Sequence, residues 1–520
     1  MRLPRVLTES IGGSKLSQAM QRGEIEGLGN SWPITPAGWT SAAQAVRGRF
    51  DGDAWLTQLA PALGETATLP ALTRAAASGI VVTTGQQAGL FGGHMLTLVK
   101  ALSARALADS IERATGMPCA TIFWAATDDA DFVEAASVKI PGTGQATTLA
   151  LTQAPPAGTP MSKAPIAGIA PLLAAMAACA GSSGDLATES LRRIYRDGVT
   201  IGDAYLAFMR ELLAPWGIAV LDASHPAVLQ AGRVTLLESL AKAAEIERSL
   251  DAWNEALGRA GFKAQVESVP GLSLVFANEQ GIKRRVPVSE AAAIATGDTP
   301  LSPNVLLRPI IEVAILPTVA YAAGPGEIAY FAQIAPIATA LKVPRPIAVP
   351  RWSTTIVEPS IDRILERYGV SIDELRDYDT LLTRLVRDRM PSELSSSFAA
   401  LRAEVERAAA ALRNDGAAYR IDAKIIEGIQ AQLALRVDRG ERRVVAALKR
   451  HEEELRRDLG TARASLYPDG VRQERSLSFV PFVARYDGPL IEQMLVAAGA
   501  HADRLVGAST IAPAPAASGR

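Results

Sequence analysis

Cysteine, histidine and aromatic residues are all scarce in this 520-residue chain. Two cysteines, Cys119 and Cys179, cannot build a disulfide framework, and neither stands at a metal-binding spacing. The four histidines, at 94, 225, 451 and 501, are too scattered for a histidine-rich metal site, so no metal ligands are assigned. The net charge is −1, which leaves no excess of one sign for a polyanion surface and excludes nucleic acid as an expected partner. Long apolar runs are also missing. The segment 164–180 is interrupted by Pro165 and Pro171 and runs into polar residues, too broken to cross a bilayer. The opening MRLPRVLTESIGGSKL has no apolar stretch of the kind a secretory leader carries. A cytoplasmic protein with no membrane partner is the expectation.

What is present is globular, and 520 residues exceed one ordinary core, so two or three structural units are expected. Residues 1–75 are weakly patterned, but from residue 79 the pattern sharpens. GIVVTTG is a short β-branched run suited to a buried parallel strand. MLTLVKALSARALADSIERA follows with apolar residues at helical spacing, and CATIFWAATDDADF is a second buried strand ending in acids. Strand, helix and strand make a right-handed βαβ unit. GIAVLDAS at 217–224 reads as a further strand, 226–260 as a long helical stretch, and 273–289 as a hairpin turning at Gln280–Gly281. The fold class expected is α/β, a Rossmann-like doubly wound core with inserted segments over 1–390.

Beyond residue 391 the texture changes. Leu394, Phe398, Leu401, Val405, Ala408 and Leu412 step by 4, 3, 4, 3 and 4, Asn414-Asp415-Gly416 interrupts, and a second apolar series returns through Ile426, Ile429 and Leu433 to Leu466. This predicts a helical hairpin over 391–465, a coiled coil or a plain helical bundle. Residues 466–505 read as a compact, loop-rich segment packing back on the core, and 506–520 as a disordered tail.

Within 81–100, VVTTGQQAGLFGGHMLTLVK, the strand ends at Gly85 and the chain turns through Gly89, Gly92 and Gly93 before a helix starts at His94. Such a turn bares N–H groups at a helix N-terminus, where an anion is favoured, although tight packing alone also uses such glycines. It is neither a Walker loop nor a strict dinucleotide fingerprint. Gln86 and Gln87 add uncharged donors and acceptors suited to hydroxyls, carboxylates or amides. His94 is placed to donate to an anion or to bond the backbone. The second strand ends in Asp128, Asp129 and Asp131, which could orient an amine, act as a general base, hold a cation or merely cap a helix. Ligands of open α/β sheets bind outside the carboxyl ends of the strands, so the glutamines and the three acids are expected to share one crevice.

These segments resemble a known family. TTGQQAGLFGG at 83–93 with Lys100 after it, TIFWAATDDADF, LSPNVLLRPIIEVAILPTVAYAAGPGEIAYFAQI at 301–334, PRPIAVPRWSTT at 344–355 and LYPDGVRQER at 466–475 are similar, in order, to the cysteine-adding enzymes of bacillithiol biosynthesis. The resemblance implies a Rossmann-like core with a coiled-coil domain, and a homodimer. It implies L-cysteine joined through its carboxyl to the amine of glucosaminyl malate, a ligase forming an amide. It suggests kinship with nucleotidyl-transfer enzymes, so ATP or another nucleotide is the candidate for activating the carboxyl, the cofactor itself being left open. The positions carried over for substrate or nucleotide are Gly85, Gln86, Gln87, Gly89, Asn304, Arg308, Gly324, Glu327, Tyr330 and Gln333. Arg308 suits a carboxylate or phosphate, or else an ion pair with Glu312. The catalytic candidates are His94, Asp128, Asp129 and Asp131. The chain departs from the family pattern at His94 (usually proline), Ala130 (usually histidine), Val313 (usually an acid), and Leu96 and Val99 (commonly tyrosines). Losing the histidine at 130 removes a general base from the strand end, which His94 could replace. A ligase for another amino acid or acceptor, and a non-catalytic coiled-coil scaffold, are the alternatives.

Overall fold

The structure is a computed structural model that describes residues 2–24, 32–181, 186–279 and 282–507. The hairpin turn expected at Gln280–Gly281, and the tail from residue 508, lie outside the described residues. The chain forms two compact units: one of residues 1–140, 148–356 and 473–520, the other of 141–147 and 357–472. The helical span expected at 391–465 falls inside the second.

The first unit is built on a five-stranded parallel sheet. Its strands are β1 (Ile80–Gln87), β2 (Cys119–Ala126), β3 (Ile218–Asp222), β4 (Thr318–Ala323) and β5 (Ala348–Pro350). They lie in the order β5-β4-β1-β2-β3. The chain builds outward from β1 to β3, then returns to the other side of β1 for β4 and β5. The topological switch point therefore lies between β1 and β4, and the ligand crevice of such a sheet lies outside their carboxyl ends.

Burial explains why these segments are strands. Ile80, Val81, Val82, Thr83, Thr84 and Gly85 are all buried, as are Cys119 to Ala125, because helices cover both faces of the sheet. Burying each large aliphatic side chain contributes about 1.5–3 kcal/mol. Helix α1 (Met95–Thr115) makes the β1–β2 crossover, ending at Gly116 in the left-handed conformation. Gly92 must be glycine: its φ is +81°, and a Cβ there would sit 2.6 Å from Phe479 Cζ. Gly92→Ala is expected to cost at least about 1–3 kcal/mol through overpacking and strain. Equilibrium denaturation checks this, and an unchanged midpoint would contradict it.

Elsewhere the structure differs from the sequence reading in three places. The 226–260 stretch is two helices, Pro226–Ala241 and Ala243–Arg259. In the second unit, helix Ser392–Ala418 runs straight through Asn414-Asp415-Gly416, since an isolated turn signal costs little inside a long helix packed on its neighbour. Its partner is Ala423–His451, and Arg402 reaching Asp438 while Arg413 reaches Gln430 shows that the two run antiparallel. The segment read as loop-rich is largely the helix Val480–Val506, broken only at Asp487. That helix belongs to the first unit and packs on α1, where Asp503 accepts from Ser110 at 2.6 Å. No described helix is long and apolar enough to cross a membrane.

Candidate active site

A polar cavity of about 290 Å³ opens at the carboxyl end of β1. Gln86, Gln87, Gly89, Gly93, His94 and Thr97 line it from the β1–α1 turn, Glu134 and Ser137 from the segment after β2, and Arg475 from the C-terminal part of the chain. Gln86 and Gln87 emerge here because β1 pairs with β2 in register to its last residue, Gln87 opposite Ala126, and then breaks into the glycine turn.

Part of the amide set of the turn is used within the protein. Gly92 N–H donates to Gly89 O and Gly93 N–H to Leu90 O. Met95 N–H donates to Leu477 O at 2.7 Å, because His94 and Ser478 form an antiparallel bridge, and Thr97 N–H donates to His94 O. Side chains add further recognition groups. His94 sits at the N-cap of α1 without capping it, and its ring makes no hydrogen bond among the described residues. Burial, then the nearby Lys139 ammonium, holds His94 below the usual histidine value, so its neutral form prevails at pH 7. The Gln87 amide nitrogen is buried and meets no partner at hydrogen-bond distance among the described residues, though Glu134 is near enough for the amide to act on its titration. Burial, with Asp131 and Asp129 behind it, raises Glu134 above the usual carboxyl range.

The three aspartates stand on the neighbouring loop and do not line the cavity. Asp128 accepts from Lys283 at 2.7 Å. Asp129 accepts from Asp131 N–H at 3.1 Å and is raised chiefly by burial. Asp131 caps the short helix Phe132–Ala135 by accepting from Glu134 N–H. That cap presents Glu134, a residue the sequence reading passed over, to the cavity instead. Among the described residues no cluster could hold a metal ion.

At the switch point, next to Gln86, lies a second constellation. Lys100, whose side chain is 4% exposed, donates to Gly85 O, to Gln86 Oε1 at 3.2 Å and to Glu327 Oε1 at 2.7 Å. Glu327 also accepts from Tyr321 Oη at 2.6 Å and from Gly324 N–H at 2.7 Å. Burial alone would raise Glu327, but Lys100, Tyr321 and the Gly324 amide together hold it below its usual value. Arg308 donates to Glu312 at 2.6 Å and to Tyr330 Oη at 3.1 Å, and stacks over the Tyr321 ring. Glu312 accepts from Thr83 as well. Arg308, Glu327 and Tyr330, carried over as ligand-binding, are thus engaged within the protein, and none of them lines the cavity.

Asn304 and Gln333 are engaged differently. Asn304 Oδ1 accepts from Leu306 and Leu307 N–H, leading into the helix Arg308–Ile315. Gln333 is fully buried: its oxygen accepts from Gln265 and Val266 N–H, and its nitrogen donates to Asn254 Oδ1 and Val266 O. Every one of its amide groups serves the fold, with none left for a ligand.

A five-stranded parallel sheet of this order, with a polar cavity at the end of its first strand and a second, helical unit, defines a Rossmann-like protein with a coiled-coil domain. Residues 62–352 match the family model described as the bacillithiol biosynthesis BshC N-terminal Rossmann-like domain, and residues 354–503 match that of the C-terminal coiled-coil domain. The chain belongs to the BshC family of bacillithiol biosynthesis. A protein of Solibacter usitatus named "Putative cysteine ligase BshC" is 32% identical over 438 residues, 80% of this chain and 82% of its own. Proteins of the same name from Koribacter versatilis and Salinibacter ruber are 29% identical over 89% of this chain and 90% of their own, and 27% over 80% of each.

Proposed function

We propose that this protein is the cytoplasmic ligase that joins the carboxyl of L-cysteine to the amine of glucosaminyl malate, in the cavity at the end of β1. The observation that carries the reading is the lining of that cavity: two amides, a guanidinium, the Glu134 carboxyl and a neutral imidazole without a hydrogen-bond partner among the described residues. The amine nitrogen attacks the activated cysteine carbonyl carbon, a C–N bond forms, and the bond to the carboxyl's leaving group breaks. The proton released by the amine passes to the His94 ring. The polar side chains of the lining take up the negative charge of substrate and leaving group. The relatives' shared name supports the use of cysteine. A scaffold would have no use for this lining. Thiol profiling of cells with and without the gene tests the reading. Loss of the cysteinyl product and build-up of glucosaminyl malate is expected, and an unchanged profile would overturn it.

The same reading includes a homodimer through the coiled-coil unit. Leu401, Leu412, Ile425 and Leu433 remain about half exposed on the helical hairpin, an apolar stripe a second copy would cover. Sedimentation at micromolar concentration is expected to show a dimer that Leu401→Glu with Leu433→Glu converts to monomer. A monomeric wild type would contradict this.

A further inference from the structure

We infer that Lys100 is a positioning residue that fixes the polarity of the Gln86 amide, so that Gln86 presents its N–H pair to the cavity and binds an oxyanion of the substrate, a carboxylate or a phosphate. The inference rests on the cavity being the reaction site.

An ammonium has three donors and no acceptor. Those of Lys100 go to Gly85 O, Gln86 Oε1 and Glu327 Oε1, so all three are spent. An amide side chain standing alone could turn either end toward a ligand. Here the oxygen is taken by a group that can only donate, and the end left over is the –NH₂, which has no partner among the described residues. The orientation is held from below. Lys100 is anchored by Glu327, and Glu327 is anchored in turn by Tyr321 of β4 and by the Gly324 amide just after it. Tyr321 Oη also accepts from Gly85 N–H at 2.9 Å, so the two strands at the switch point are tied around a single amide.

The other donors of the lining favour an acceptor atom on the ligand, with Glu134 an acid among them. Gln87 lines the same cavity, and Arg475 brings a positive charge to its rim. Gly92, Gly93, Met95 and Thr97 have spent their N–H groups within the protein. A ligand that meets these side-chain donors must offer acceptor oxygens, and charged oxygens make the stronger bonds. Nothing in this role needs Lys100 to touch the ligand.

Gln86→Glu is the discriminating variant. A carboxylate at 86 still satisfies Lys100 and has nearly the same size, so the fold is kept, but the N–H pair is replaced by a second acceptor oxygen. Isothermal titration with malate and with inorganic phosphate is expected to show at least tenfold weaker binding to Gln86→Glu of whichever probe the wild type binds, at an unchanged melting temperature. Competition by glucosaminyl malate identifies the group as the acceptor's carboxylate, and competition by a nucleotide identifies it as a phosphate. In turnover, KM for that same substrate should rise more than kcat falls. Lys100→Gln, if it folds, should raise the same KM, because an amide there no longer dictates which end of Gln86 turns outward. Wild-type affinity and KM in Gln86→Glu would overturn the inference while leaving the proposed reaction standing. Glutamine-dependent oxyanion binding in a protein that makes no cysteinyl product would overturn the reaction and leave the inference standing.

Discussion

His94→Asn is expected to lower kcat by about 10²-fold or more, the range usual for removal of a general base, with little change in the binding of the sugar acceptor. The ring lines the cavity, makes no hydrogen bond of its own among the described residues, and is held neutral by burial and by Lys139. A neutral imidazole can accept the proton that the attacking amine must lose. The pH dependence follows in sign. Protonation removes the base, so the rate falls as pH drops through a value below the ordinary histidine value of 6.5. In His94→Asn that acid limb should disappear. His94→Pro, which restores the residue common in the family, should fold well: φ at position 94 is −75°, near the value proline fixes, and the bridge to the 477–478 segment runs through Met95 N–H. Full activity in His94→Pro would assign the base elsewhere. Glu134 would then be the first candidate, ahead of Asp128, Asp129 and Asp131, because it alone among these acids reaches the cavity.

The largest effect on stability is expected from Glu474→Gln, at about 3–5 kcal/mol, the cost of leaving a buried charge without its partner. Arg351 and Glu474 have side chains only 0% and 1% exposed, and they meet in a two-pronged pair at 2.6 and 3.1 Å. The pair joins the segment after β5 to the residue preceding Arg475, so it also sets where that guanidinium enters the cavity. Burial would raise Glu474, but Arg351 and its hydrogen bonds outweigh this and hold it below 4.5. A carboxylate depressed in the folded state contributes fully above its unfolded-state value and loses that contribution as pH falls through the folded one. Denaturant melts should therefore show wild-type stability declining below about pH 4.5 more steeply than that of a double variant, Arg351→Met with Glu474→Leu. That double variant should recover much of the loss seen in Glu474→Gln, since well-packed apolar replacements of a buried pair are often neutral. Equal stability of wild type and Glu474→Gln would contradict the account.

The first βαβ unit was legible because its signals are local. Ile80–Gly85 is a β-branched run, α1 has helical periodicity, and Gly92 marks a turn that no other residue fits. The glutamines and His94 could be placed at a cavity for the same reason, since a turn after β1 has only one edge of the sheet to face. What could not be read is what other parts of the chain bring to that edge. The 477–478 segment consumes Met95 N–H, the hairpin brings Lys283 to Asp128, and Arg475 arrives from the far end of the chain. Each contact spans more than a hundred residues, and no local periodicity encodes it. Lys100 was visible as a lysine in an apolar helix, where burial without a partner would be costly. That signal could have predicted a buried acid, and Glu327 is the acid it meets.

The central claim is that an amide bond forms in the cavity at the end of β1, with His94 as the base. The most direct test incubates purified protein with L-cysteine, glucosaminyl malate and a panel of nucleotides, and follows the cysteinyl product by mass, wild type beside His94→Asn. The account predicts product with the wild type in the presence of at least one nucleotide, and a loss of about 10²-fold or more in the variant at an unchanged melting temperature. No product from folded wild-type protein with any nucleotide, or equal product from the two proteins, would contradict it.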